Sequence, residues 1–166
     1  SLVISNHSEL EEICVEFGVT FKCVPVNSEI KPYAEQTMLS LLTEYDIELV
    51  VLAKYMQILS SDFLRKFSMV INIHHSFLPA FKGAQPYQRA WERGVKLIGA
   101  TAHYVTDSLD DGPIIEQAIA HVSHRDEVDD LIRKGRDTER IALARALRLH
   151  LRRQVMVYGG RTAVFA

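Results

Sequence analysis

The sequence predicts an α/β fold, a mostly parallel sheet with antiparallel strands added towards its C-terminal end. Three observations carry this reading. The run Leu49-Val50-Val51-Leu52-Ala53 is continuously apolar, as in a strand buried on both faces of a parallel sheet. Short apolar strands alternate with helical stretches through the first part of the chain, the alternation that defines the class. Two longer apolar segments, Leu97–Tyr104 and Ile114–His121, flank one polar turn. That length suggests neighbouring antiparallel strands and leaves their pairing open.

The elements follow in order. Leu2–Ser5 is a short apolar strand. Ser8 and Glu11 have the spacing of a capping box for a helix to Phe17, with Gly18 as its left-handed exit. Residues 19–24 read as a strand stopped by Pro25. A helix with Met38, Leu41 and Leu42 on its apolar side leads to Ile47 and the buried run. Ser60 caps a short helix to Phe67, and Val70–His74 returns to strand. Pro86 suits the first turn of a helix ending at Arg93 and Gly94. Residues 138–154 form an amphipathic helix with Ile141, Ala144, Leu147 and Leu151 on one stripe. Residues 155–165 fold about Gly159-Gly160, a two-residue hairpin turn that needs positive φ.

Composition bounds the function. With 166 residues, 48% hydrophobic and 24% charged, the chain has the make-up of one globular domain with a core. A net charge of −2 supplies no field to attract nucleic acid or an acidic membrane. No apolar run approaches the ~18 residues of a membrane span. Cys14 and Cys23 are too few for a disulfide framework and read as buried thiols of a cytoplasmic protein.

Two polar clusters interrupt the apolar pattern. Strand alternation puts Asn72 and His74 on one face, about 6.7 Å apart along the strand, with Ile71 and Ile73 on the other. A carboxamide donor and an imidazole at a strand's carboxyl end sit where open α/β sheets bind ligands. Together they can hydrogen-bond one developing oxyanion; the plain alternative is two satisfied polar side chains closing a strand. The second cluster is Asp107-Ser108-Leu109-Asp110-Asp111-Gly112-Pro113. Such turns are usually solvated loops, yet Gly112-Pro113 stiffens this one, and stiffness suits a carboxylate that must be aimed. A carboxylate, an imidazole and an amide brought together suffice for acyl transfer to water.

Other chemistries fit less well. The chain has no Gly-x-Ser-x-Gly elbow, no Walker loop and no Gly-x-Gly-x-x-Gly. A zinc site through His74, His75 and His103 has no supporting spacing, and His74 and His75 point to opposite faces if the strand continues, so no metal is expected. Arg140, Arg145, Arg148, Arg152 and Arg153 read as the solvated or interface side of the amphipathic helix rather than a nucleic-acid surface.

The motif Asn72-Ile73-His74-His75-Ser76-Phe77-Leu78-Pro79 resembles the Asn-x-His signature of the folate-dependent formyltransferases. Leu109-Asp110-Asp111-Gly112-Pro113 resembles their catalytic aspartate loop, whose aspartate lies three residues before the proline, here Asp110. The pairing of the two motifs is more specific than either alone. Within that superfamily the chain is most similar to the formyltetrahydrofolate deformylases. The doubled His74-His75, the stretch from Pro79 to Tyr87, Arg93 to Tyr104, Arg133-Lys134-Gly135-Arg136-Asp137 and Gly160-Arg161-Thr162 all look like them, so the resemblance covers essentially the whole chain.

The resemblance implies a Rossmann-like sheet with catalytic Asn72, His74 and Asp110. It implies a folate pocket near residues 51–59 and 106–110, with Met56, Gln57, Ile58, Leu59 and Thr106 as substrate contacts. The implied reaction converts 10-formyltetrahydrofolate and water to tetrahydrofolate and formate, supplying formate for purine synthesis. Folate is then the substrate; no cofactor, nucleic acid or membrane is implied, and a cytoplasmic homo-oligomer is. Residues 1–166 are expected to be a single catalytic domain that lacks the family's first strand and the ACT domain of deformylases. The alternatives are a formyltransferase with an amine acceptor and a catalytically silent folate-binding module. An apolar pocket near Met56 and Leu59, opening onto Asn72, His74 and Asp110, would support the reading.

Overall fold

The computed structural model describes residues 1–78 and 86–165, so residues 79–85 of the motif stretch lie outside the described residues. The elements run β1 (Leu2–Ser5), α1 (Glu11–Glu16), β2 (Thr20–Cys23), α2 (Lys31–Glu44), β3 (Val50–Ala53), α3 (Ser61–Lys66) and β4 (Val70–His74). They continue with α4 (Pro86–Arg93), β5 (Leu97–Tyr104), β6 (Ile114–His121), α5 (Val128–Leu151), β7 (Val155–Tyr158) and β8 (Arg161–Val164). The class is α/β, as predicted, with parallel pairing of β1 and β2 and antiparallel pairing among the later strands. The chain divides into two compact units. One comprises Ser1–Val50 and Leu59–Met69; the other comprises Val51–Ile58 and the chain from Val70 on.

In the first unit, β1 and β2 pair in parallel from Leu2↔Thr20 to Ser5↔Cys23. The chain crosses over through α1 and turns at Gly18, whose φ of 63° is the left-handed exit predicted. The predicted capping box is not formed. The Ser8 carbonyl instead accepts the Glu11 N–H at 2.9 Å, a backbone turn that delays the helix, and Leu10 caps it without a side-chain bond. Helix α2 buries Ala34, Met38 and Leu42, spaced four apart on one face. Ser60 caps α3 by accepting the Phe63 N–H at 3.1 Å. The buried Glu35 carboxylate in turn accepts the Ser60 N–H at 2.9 Å and its hydroxyl. Cys14 is buried as expected, but Cys23, the last residue of β2, is exposed; both are free thiols.

The larger sheet has the order β3-β4-β5-β6. β3 is its edge strand, and Val51 is 38% exposed, so the expectation of a strand covered on both faces is not met. β4 pairs antiparallel with β5, and β5 with β6, which places the two long strands side by side. Helix α4 closes at Gly94 with φ 69° and meets α5 in a small core of Ala90, Ile98 and Leu131. Hairpin β7–β8 turns at Gly159 and Gly160, both with positive φ. Among the described residues no helix is long and apolar enough to cross a membrane.

Helix α5 differs from its prediction in start and in face. It begins at Val128, with Glu127 and Asp130 forming a capping box, ten residues before the predicted start. Its buried face is Leu131, Gly135, Thr138, Ala142 and Ala146, while Ile141 and Leu151 are exposed. Small residues let the helix lie close against β5 and β6, so the larger side chains are turned outward. Gly135 makes room for a neighbouring ring. A Cβ there would fall 2.0–2.5 Å from atoms of the Tyr87 phenol.

Candidate active site

Strand β4 delivers two polar side chains from an otherwise apolar strand. Val70 on one face and Ile71 and Ile73 on the other are all buried, so β4, between β3 and β5, is covered on both sides. Asn72 lies opposite His103 of β5, and its carboxamide nitrogen is 3.3 Å from His103 Nε2. The His103 Nδ1 lies 2.9 Å from the carbonyl oxygen of Tyr104, which only accepts, so Nδ1 carries the proton. In the neutral ring Nε2 is then the acceptor, and Asn72 donates to it. The sequence offers His103 no catalytic partner. Its true neighbour is set by the β4–β5 register, which no local pattern reveals.

Asp110 reaches the same point from the loop between β5 and β6. Its φ of 51° is left-handed, a conformation a non-glycine residue adopts at a cost. The close approach of Gly112 holds the turn in place, since a Cβ there would sit 1.7 Å from the Tyr104 carbonyl oxygen. The Tyr104 N–H donates to Pro113 at 3.0 Å and continues the pairing. Asp110 Oδ2 lies 3.2 Å from His74 Nδ1, while Oδ1 is 3.5 Å from the Asn72 amide nitrogen and 3.8 Å from His103 Nε2. The side chains of His74, His103 and Asp110 are at most 10% exposed. The structure therefore brings Asn72, His74 and Asp110 together, with His103 behind them.

Fully buried Thr101, opposite His74 on β5, fixes the chain after β4. Its hydroxyl donates to the Ser76 carbonyl at 2.9 Å and accepts the Leu78 N–H at 3.1 Å and the Gln117 amide at 2.9 Å. β4 ends at His74, so strand alternation stops there. The His74 and His75 rings do not point apart but stack, with centroids 4.9 Å apart and planes inclined by 21°.

The predicted substrate contacts are placed less uniformly. Met56, Gln57 and Ile58 lie in the irregular segment after β3, and Met56 is 72% exposed, an apolar side chain left open. Leu59 is buried in the first unit. The Thr106 hydroxyl engages Ser108 within its own turn, accepting the N–H at 3.4 Å and donating to the carbonyl at 3.3 Å. A cavity of about 470 Å³ with mixed lining is bordered by Leu78, Asp110, Ile114, Gln117, Arg161 and Thr162. An apolar cavity of about 210 Å³ is bordered by His75, Phe77, Tyr87, Leu97 and Ile98 rather than by Met56 or Leu59.

Comparison with known proteins places this geometry. The formyl transferase family model matches residues 2–147, and the chain belongs to that family. It is 62% identical over 165 residues to the formyltetrahydrofolate deformylase of Synechocystis sp., covering 99% of this chain and 58% of that protein. It is 48% identical over 163 residues to the deformylase of Escherichia coli, covering 98% and 58%. Among solved structures it is similar to a deformylase from Pseudomonas syringae, with TM-score 0.94, 49% identity and coverage of 99% and 56%. It is also similar to glycinamide ribonucleotide transformylase 1 from Symbiobacterium toebii, with TM-score 0.88, 32% identity and coverage of 100% and 80%. The chain thus spans a little over half the length of the deformylases it matches.

Proposed function

We propose that this chain is the catalytic part of a formyltetrahydrofolate deformylase, hydrolysing 10-formyltetrahydrofolate to tetrahydrofolate and formate. The observation that carries the reading is the meeting of Asn72, His74 and Asp110 at the end of β4. Likeness to deformylases over nearly the whole chain supports it. A match that runs through both compact units also supports their acting as one catalytic domain. We place the protein in the cytoplasm, where the exposed Cys23 thiol stays reduced.

The geometry suits attack of water on a formyl carbon. Oδ1 of Asp110 is the more loosely held of its two oxygens, and it takes the proton as water adds and the new C–O bond forms. The Asp110 carboxylate, accepting from Nδ1 of His74, fixes the tautomer and plane of that ring. The Asn72 amide keeps one hydrogen on His103. Its other hydrogen, held only at 3.5 Å by Asp110, turns to the oxyanion of the tetrahedral intermediate. Cleavage of the C–N bond then needs a proton at the departing folate nitrogen. His74, protonated on both ring nitrogens at this stage, gives the one on Nε2 and keeps the one on Nδ1. Asp110 releases the proton it took from water as His74 takes one up, and formate leaves.

Full-length protein given 10-formyltetrahydrofolate, with water as sole acceptor, is expected to release formate and tetrahydrofolate in equal amounts. Adding glycinamide ribonucleotide should give no formylated product. A formylated amine with only trace formate would replace the hydrolase reading by the transferase one.

A further inference from the structure

We propose that Arg161 forms a carboxylate-binding subsite beside Asp110, an inference that rests on the hydrolysis proposed above. Two residues of the motif Gly160-Arg161-Thr162 have clear structural tasks. Gly160 turns the β7–β8 hairpin at φ 74°. The Thr162 hydroxyl donates to the Ile114 carbonyl at 2.5 Å and pins the hairpin to the start of β6. Arg161 does neither. It opens β8 opposite Tyr158, and it borders the same cavity of about 470 Å³ that Asp110 borders.

The charges on the cavity wall call for a cation. Among its described lining residues, Asp110 and Asp111 are carboxylates and Arg161 carries the sole positive charge. An anion formed beside Asp110 is repelled by that carboxylate unless a cation faces it. The other side-chain donors of the wall are already engaged. The Gln117 amide nitrogen serves the Leu78 carbonyl at 3.2 Å and the Thr101 hydroxyl at 2.9 Å. Thr162 has given its one hydroxyl hydrogen to Ile114. Among the described residues, Arg161 makes no ion pair and no side-chain hydrogen bond.

A guanidinium is a planar fork of donors that matches a carboxylate with two parallel bonds. The fold fixes where this fork starts. Thr162 holds β8 to Ile114, and Ile114 directly follows Gly112-Pro113 of the aspartate loop. Loop and hairpin therefore share one wall. Two carboxylates of the reaction could meet Arg161 there, the released formate and those ending the substrate's glutamyl chain. The cavity borders Asp110 itself, beside which formate is made, and this favours formate.

The test titrates the full-length protein with sodium formate, against sodium chloride at equal ionic strength. Formate should inhibit hydrolysis reversibly. Arg161→Gln should raise its inhibition constant by about tenfold or more, with Arg161→Lys in between. Arg152→Gln, at the exposed end of α5, is the control and should leave the constant unchanged. Carbon-13 line widths of labelled formate give a second readout that needs no turnover. Wild-type protein should broaden the line, and Arg161→Gln should leave it sharp. A rise in KM confined to substrates with a long glutamyl chain, with formate unaffected, would keep the subsite and make the substrate's own carboxylate its occupant. No change in Arg161→Gln by any of these measures would overturn the subsite. Wild-type protein that binds formate but releases none from 10-formyltetrahydrofolate would count against the hydrolase reading and leave the subsite standing.

Discussion

Asp110 Oδ2 stands 3.2 Å from Nδ1 of His74, joining a loop residue with φ 51° to the last residue of β4. The contact bridges 36 positions of sequence, and it makes a short loop answerable to a sheet. A carboxylate aimed this way both orients the imidazole and leaves its second oxygen for water.

Asp110→Asn should therefore lower kcat by ~10²–10⁴ while folate binding is largely kept. Asp111→Asn, at the exposed neighbouring residue, should change kcat far less. Steady-state kinetics of the pair decide the matter. Comparable activity in both variants and wild type would reduce the motif to an ordinary turn.

Asn72→Ala should cost about 10²–10³ in kcat, the scale of one lost oxyanion donor. His74→Ala should be at least as damaging, since it also removes the proton carrier. Both side chains converge on Asp110, so the double variant should lose less than the product of the single losses. Strict multiplication of the two effects would show that they act separately.

Much of this site was legible in the sequence because strand alternation is local. Asn72 and His74 share a face by spacing alone, and Gly112-Pro113 marked a stiff loop. His103 was not legible as their partner, because its place opposite Asn72 depends on pairing two strands about thirty residues apart. Helix α5 begins ten residues before its predicted start, and its internal Gly135 finds its reason only in the Tyr87 ring pressed against it. The same nonlocal packing chose the small-residue face of α5 over the stripe of larger side chains. The direction of His75 was missed because alternation holds only while the strand lasts, and β4 ends one residue before it.

Tyr87 offers a test by pH. Burial and the adjacent Glu139 carboxylate push its hydroxyl above the ordinary tyrosine value of 10.0. The folded protein therefore binds that proton more tightly than the unfolded chain does. The stabilising contribution is full below about pH 10 and is lost as pH rises beyond it. Urea titrations between about pH 9 and 11 should show wild-type stability falling more steeply than that of Tyr87→Phe. Parallel curves would mean that the phenol is as easily ionised folded as unfolded.

Gly112→Ala tests the loop rather than the chemistry. Gly112 lies against β5 at ordinary negative φ, so its need is for space and not for unusual backbone freedom. A methyl group there would meet the Tyr104 carbonyl oxygen at 1.7 Å and its carbon at 2.9 Å, both backbone atoms that cannot turn aside. It would also press on His103 Nδ1 at 3.3 Å. Relief requires the loop to lift from β5, and Asp110, two residues earlier, would move with it. The expected result is a loss of stability on the order of 3 kcal/mol, seen as a drop in Tm of about 5–10 °C. At temperatures where the variant is still folded, kcat should fall by about 10²-fold, because Asp110 no longer meets His74. Asp111→Ala, on the same loop but exposed, is the control and should leave both quantities nearly unchanged. A Gly112→Ala protein with wild-type kcat would show that the aim of Asp110 does not depend on this close approach.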